Sequence, residues 1–216
     1  DGGHGDPSLA RARDVQALPS VSVKPVIVTL HLLGGMVLLA LLVAQSESQN
    51  SKQPAPDLLP ARPYGIWLAA GMIAVWLQIF LGAWVSTNYA VLACNEFPTC
   101  LNGAWLPANS NDWSAGFTIW RELGTAAFPA LTAIHLTHRI FAVVVLVAIV
   151  GLIMQLKRYP ALRSLKLWLM IILTLQIITG ISNVVLGWPL LAAVMHTGGA
   201  AALVLVLTKL WTKIKS

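Results

Sequence analysis

Apolar positions in this chain do not form stripes. They fill five stretches almost completely, at residues 25–44, 64–86, 128–156, 167–186 and 189–210. A soluble helix shows one apolar face and a soluble strand alternates, so runs that are apolar all round point to surroundings that are themselves apolar. About 20 such residues cover the hydrocarbon core of a bilayer, and every stretch reaches that length. Only a helix satisfies its own backbone groups inside lipid, so five transmembrane helices are expected. Proline opens the first, third and fifth of them, at Pro25, Pro129 and Pro189, where its missing N–H is harmless. A two-residue break, Gly187-Trp188, separates the fourth from the fifth.

The polar segments between these runs set the domain plan. Residues 1–24 are rich in Gly and Pro without a helical period and are expected to be a polar tail, with His4 a solvent residue. Residues 45–63 form a Ser-, Gln- and Pro-rich loop, residues 88–127 a long segment of varied chemistry, and residues 211–216 a basic tail. Within the long segment, residues 113–123 suit a short amphipathic helix in the membrane interface, where Trp105, Trp113 and Trp120 would favour the headgroups.

Composition confirms the class: 57% of residues are hydrophobic, 10% are charged and the mean hydropathy is +0.74. Soluble domains carry about 25% charged residues. The net charge of +6 is not a nucleic-acid footprint, because much of it lies in the loop LKRYPALRSLK and the C-terminal tail. By the positive-inside rule those belong on the cytoplasmic or matrix side, and the segment with both cysteines on the other. Arg11, Arg13 and Lys24 run against the rule. The chain begins with Asp and no signal-peptide pattern precedes its first apolar run, so a fragment or processed form is expected.

The candidate chemistry lies in the stretch IHLTHRIF, residues 134–141. Ionisable groups in a membrane span are costly and by default mark a functional site. His135 and His138 diverge by roughly 60° on a helix and cannot flank one planar macrocycle, so a partner ligand must come from another helix. His31 and His196 are the candidates. His31, His138 and His196 lie six, nine and seven residues past their prolines, on helices running the same way. That places all three roughly 9–14 Å along their helices, in one leaflet. Glycines beside His31 and His196 would let a porphyrin face approach. Imidazole is an axial ligand of haem iron, and Arg139 could pair with a propionate. His135 is expected to be a supporting or interfacial residue. Zinc is the weaker reading, since no carboxylate lies within the spans. A proton relay is also poorly supported.

Cys94 and Cys100 enclose NEFPT. A structural disulfide is favoured on an oxidising side, with a redox-active pair and a metal site as weaker readings. Glu96 and Arg121 are the notable charges nearby, and Arg121 is a second candidate for a propionate. An internal echo completes the picture. LQIFLG (77–82) matches LQIITG (175–180), and HLLGG (31–35) resembles HTGG (196–199), as expected of a duplicated bundle.

Together these residues carry a resemblance. The motifs VTLHLLGG (28–35), LGAWVSTNYAVLAC (81–94), FPTC (97–100), FPALTAIHLTHR (128–139), GISNVVLG (180–187) and HTGGAA (196–201) resemble the haem A synthase family. The resemblance covers the chain from about Lys24 to its end. Members of that family convert haem O to haem A in the membrane, with eight spans in two similar four-helix halves. The resemblance therefore implies an all-α integral membrane protein, with a C-terminal four-helix haem-binding bundle (64–210) and the last helix of a truncated substrate-side bundle (25–44). It implies that His138 and His196 are the axial pair of a haem b cofactor, that His31 is a substrate-haem ligand, and that Cys94 and Cys100 form a disulfide. It further implies haem O as substrate and oxidation of a methyl group to a formyl group. Membrane lipid, haem O synthase, cytochrome oxidase assembly factors and a second copy of the chain are the suggested partners, and nucleic acid is not one. The location implied is the bacterial plasma membrane or the mitochondrial inner membrane. The family's first three spans have no counterpart here, so this chain alone is not expected to complete the reaction. Two other readings stand beside it: a b-type cytochrome that carries electrons or haem, and a membrane assembly protein without catalysis.

Overall fold

The computed structural model describes residues 24–50, 62–100, 103, 105, 111–117 and 128–215. The tail 1–23, the linker 51–61, Trp120 and Arg121 lie outside the described residues. Among the described residues six α-helices follow in order: α1 (Lys24–Asn50), α2 (Arg62–Thr87), α3 (Asn111–Gly116), α4 (Phe128–Leu156), α5 (Arg163–Val185) and α6 (Leu190–Lys215). All but α3 are long and apolar enough to cross a membrane, and no strand occurs among the described residues.

Helix α2 packs along α4, α4 meets α5, α5 packs along α6, and α6 returns to α2, closing a ring of four. Helix α1 lies outside this ring, against α2 and α6. The directions of the five long helices alternate along the chain, as the contacts at the two ends show. At one end, Thr29 of α1 meets Thr87 of α2, Oγ1 to Oγ1 at 3.4 Å. At the other, the Tyr64 hydroxyl donates to the Leu210 carbonyl at 3.3 Å, and Lys209 Nζ lies 3.1 Å from Glu47.

The helix ends differ from expectation for local reasons. Helix α1 continues through QSESQN, which was expected to open the loop. That hexapeptide contains neither Pro nor Gly, and its Glu47 finds Lys209 on α6. Helix α5 starts at Arg163, straight after the 3-10 turn Pro160–Leu162. The interfacial helix begins at Asn111, two residues before its expected start, and its described part closes with a turn at Phe117. The expected break at Gly187-Trp188 is present, and both residues have left-handed backbones, φ 67° and 65°. Glycine adopts this freely, whereas for Trp188 it costs about 1–2 kcal/mol. The Trp188 amide donates to the Asn183 carbonyl at 2.9 Å, and its side chain packs against the cluster around Trp84.

The main core fills the half of the bundle nearer Tyr64 and Leu210, around Leu68, Ile149, Leu152, Leu169 and Leu207. Trp84, Val85, Ala90, Val91 and Ile134 form a second cluster toward the other end. Outward faces stay apolar and exposed, as at Leu38, Ile66, Val147 and Leu191. In water such faces would be a liability, whereas in lipid they are the solvated surface.

One offset positions the site. Gly82, five residues before the end of α2, packs on His138, ten residues into α4. At 1.5 Å per residue, α4 therefore overhangs α2 by about 7–8 Å. Residues Ala130 to Leu136, in this overhang and just below it, cover the 3-10 turn Ala90–Ala93, the disulfide and α3.

Candidate functional site

The ring of four brings His138 of α4 and His196 of α6 together. Their ring centres are 6.4 Å apart and their planes are inclined by 72°. Helix α5 separates α4 from α6 in sequence, so the pair is a product of bundle closure. A glycine stands behind each ring. A Cβ at Gly82 would come within 3.1 Å of His138 Cε1, and one at Gly180 within 3.2 Å of His196 Cε1. A Cβ at either position would press on the imidazole by a few tenths of an ångström, so glycine lets each ring sit close against the neighbouring helix.

Each histidine is also gripped by a glutamine four residues before that glycine. Gln78 Nε2 donates to the His138 carbonyl at 3.1 Å, and Gln176 Nε2 donates to the His196 carbonyl at 2.8 Å. These bonds fall on carbonyls that already serve the helix, and a carbonyl has a second lone pair to offer. The ring nitrogens have different partners. Thr179 Oγ1 lies 3.0 Å from His196 Nδ1, whereas Gln78 Nε2 lies 3.1 Å from His138 Nδ1 and 3.2 Å from its Nε2. Gln78 Oε1 is buried and has no hydrogen-bond partner among the described residues.

The separation of the two rings leaves room for a shared metal. Two imidazole nitrogens about 2 Å from one ion, with each ring centre about 1.1 Å further out, put the ring centres about 6 Å apart. The observed 6.4 Å matches, and the glycine behind each ring keeps the imidazole edge clear of side-chain bulk. An amide donor lies 3.2 Å from His138 Nε2, where a ligand would displace it.

His135 is buried, and its Nε2 accepts from Arg139 Nε at 3.4 Å within α4. Its Nδ1 has no partner among the described residues. Arg139 binds the disulfide loop: Nη1 donates to the carbonyls of Glu96 (3.0 Å) and Thr99 (2.9 Å), and Nη2 to that of Cys94 (3.3 Å). Four of its five N–H donors are thus engaged by the described residues. The Cys94–Cys100 disulfide is formed, both cysteines are buried, and Leu136 packs on them. Inside the loop, Glu96 accepts from the Thr99 hydroxyl at 2.8 Å and from the Gly103 amide at 3.0 Å.

His31 does not join the pair. It is exposed on α1, outside the ring of four. The two glutamines and the threonine escaped sequence reasoning, although the signal was present. The repeated LQI-x-x-G places Gln and Gly at one spacing in both copies, on the face that meets a histidine.

The model of a family described as cytochrome oxidase assembly protein matches residues 12–208. A haem A synthase of Shewanella oneidensis is 34% identical over 211 residues, covering 91% of this chain and 62% of the relative. Haem A synthases of Halalkalibacterium halodurans (33% over 153 residues) and Caulobacter vibrioides (30% over 192 residues) match 68% and 87% of this chain. The chain spans 62%, 44% and 53% of the lengths of these three relatives. No solved structure matches it significantly. With a model match over nearly its whole length and relatives of one name, this chain belongs to the cytochrome oxidase assembly protein family, that of the haem A synthases.

Proposed function

We propose that this chain is the haem-binding half, with one further helix, of a membrane enzyme that oxidises the methyl group of haem O to the formyl group of haem A. His138 and His196 are its axial pair for a resident haem b. The observation that carries this reading is the 6.4 Å separation of the two rings with a glycine behind each.

When bound, haem b supplies one-electron redox chemistry whose potential the protein sets by ligand identity and burial. The chain's own residues supply the rest. Gln78 and Gln176 fix the backbone of each ligand. The apolar core below and the Trp84 cluster above keep water from the pair. Arg139 is the first candidate to pair with a propionate, and Arg121 is the second. His31, exposed on α1, is positioned to serve a bundle on that side, where the substrate haem would bind. The partners proposed are haem O synthase and cytochrome oxidase assembly factors. The basic loop and C-terminus face the cytoplasm or matrix, and the disulfide loop faces the oxidising side of a bacterial plasma or mitochondrial inner membrane.

The test is conversion in the full-length protein. Membranes lacking their own enzyme receive the wild type, His138→Ala or His196→Ala, and extracted haems are separated by chromatography. Haem A should form only with the wild type. Undiminished haem A in both variants overturns the assignment.

A further inference from the structure

The two LQI-x-x-G repeats treat their histidines alike in backbone grip and glycine cradle, and unlike at one position. The fifth residue is Leu81 in the first copy and Thr179 in the second. Thr179 Oγ1 lies 2.7 Å from the Leu175 carbonyl and 3.0 Å from His196 Nδ1. A carbonyl only accepts, so the single hydroxyl hydrogen goes to Leu175, and the imidazole must supply the proton of the second bond. His196 is thereby held as the Nδ1–H tautomer, with the lone pair of Nε2 directed away from Thr179 and free to ligate.

At the equivalent place beside His138, Leu81 offers no oxygen. Among the described residues its ring nitrogens meet only the Gln78 amide, whose Nε2 donates and whose Oε1 is buried with no hydrogen-bond partner among them. A metal-bound histidine donates its other ring N–H to an acceptor. With Nε2 on iron, Nδ1 of His138 carries a proton. The acceptor in reach belongs to the same amide that now donates.

We propose that Thr179 and Gln78 are unequal positioning residues for the two ligands. Thr179 holds His196 permanently in its ligating form. Gln78 is a two-position amide: it donates to His138 while that ring is free, and turns Oε1 onto Nδ1–H when Nε2 binds iron. This rests on the bis-histidine reading above. His196 is then the anchored ligand and His138 the exchangeable one, since turning the amide gives up the bond from Gln78 Nε2 to the His138 carbonyl.

The experiment uses the full-length protein loaded with haem b and carrying Thr179→Val, Thr179→Ser, Gln78→Leu, or Gln78→Leu with Leu81→Thr. Haem transfer to apomyoglobin, the midpoint potential and the rate of carbon monoxide binding to the reduced protein are measured. Loss of a partner behind a ligating histidine typically weakens binding about 10–100-fold, so Thr179→Val should release haem faster by that order. It should also raise the potential, because the ligand becomes a poorer electron donor, and Thr179→Ser should restore both values. Gln78→Leu should bind carbon monoxide faster through loss of His138, and the added Leu81→Thr should slow it again by supplying a hydroxyl. If Thr179→Val and Gln78→Leu match the wild type in all three measurements while His138→Ala and His196→Ala lose six-coordination, the inference falls and the haem reading stands. A wild type that takes up no haem overturns both.

Discussion

Arg139 joins α4 to the disulfide loop, and removing it should free that loop. In Arg139→Leu the carbonyls of Glu96, Thr99 and Cys94 lose a charged donor. Hydrogen bonds to a charged group contribute roughly 1.5–3 kcal/mol each. The bonds at 2.9 and 3.0 Å carry most of this, and the one at 3.3 Å lies beyond the favourable range and adds little. A combined loss of about 4 kcal/mol corresponds to about a thousandfold rise in the open population of the loop. The disulfide is buried in the closed loop, so reductant must wait for opening. Dithiothreitol reduction of Cys94–Cys100, followed by alkylation and mass analysis, should accelerate at least about 100-fold in Arg139→Leu. Arg139→Lys should fall between, because one ammonium cannot reach three carbonyls in the fork geometry of a guanidinium. A rate within about threefold of the wild type would show that the clamp does not hold the loop closed.

Other perturbations test other links. Leucine at Gly82 or Gly180 should fill the space of the adjacent imidazole and reduce haem content to below about a tenth of wild type, with helicity by circular dichroism retained. Gly65→Ala, with open space around it, should leave haem content unchanged. A Cβ at Gly151 would run into the Trp67 ring, so Gly151→Ala should cost about 1–3 kcal/mol, read as a lower melting temperature in detergent. Glu47→Gln breaks an ion pair whose side chains are 36% and 23% exposed, so it should change stability by less than about 1 kcal/mol.

Much of the fold was legible because the bilayer leaves few choices. The third span, residues 128–156, coincides with α4 to the residue, since Pro129 and the basic run after Leu156 bound it clearly. The end of α1 was less legible. QSESQN is polar, and composition alone cannot tell a solvated helix end from a loop when the deciding contact, Glu47 with Lys209, lies 162 residues away. His138 and His196 stood out as costly polar groups at matched depth. Their supports did not, because Gln78, Gln176 and Thr179 are uncharged and their roles depend on which helix faces which. The echo of LQIFLG in LQIITG revealed a duplication, but only the closed ring of four shows that both copies face a histidine. Arg139 is another such case, since sequence placed it beside a ligand while the fold turns most of its donors toward the disulfide loop.

The central proposal is one iron held between α4 and α6. Electron paramagnetic resonance of the purified, oxidised full-length protein loaded with haem b reads that arrangement directly. A low-spin ferric signal of two imidazole ligands, converted to high spin by His138→Ala and by His196→Ala separately, is the predicted result. A high-spin signal in the wild type, or a low-spin signal that survives both substitutions, would contradict it.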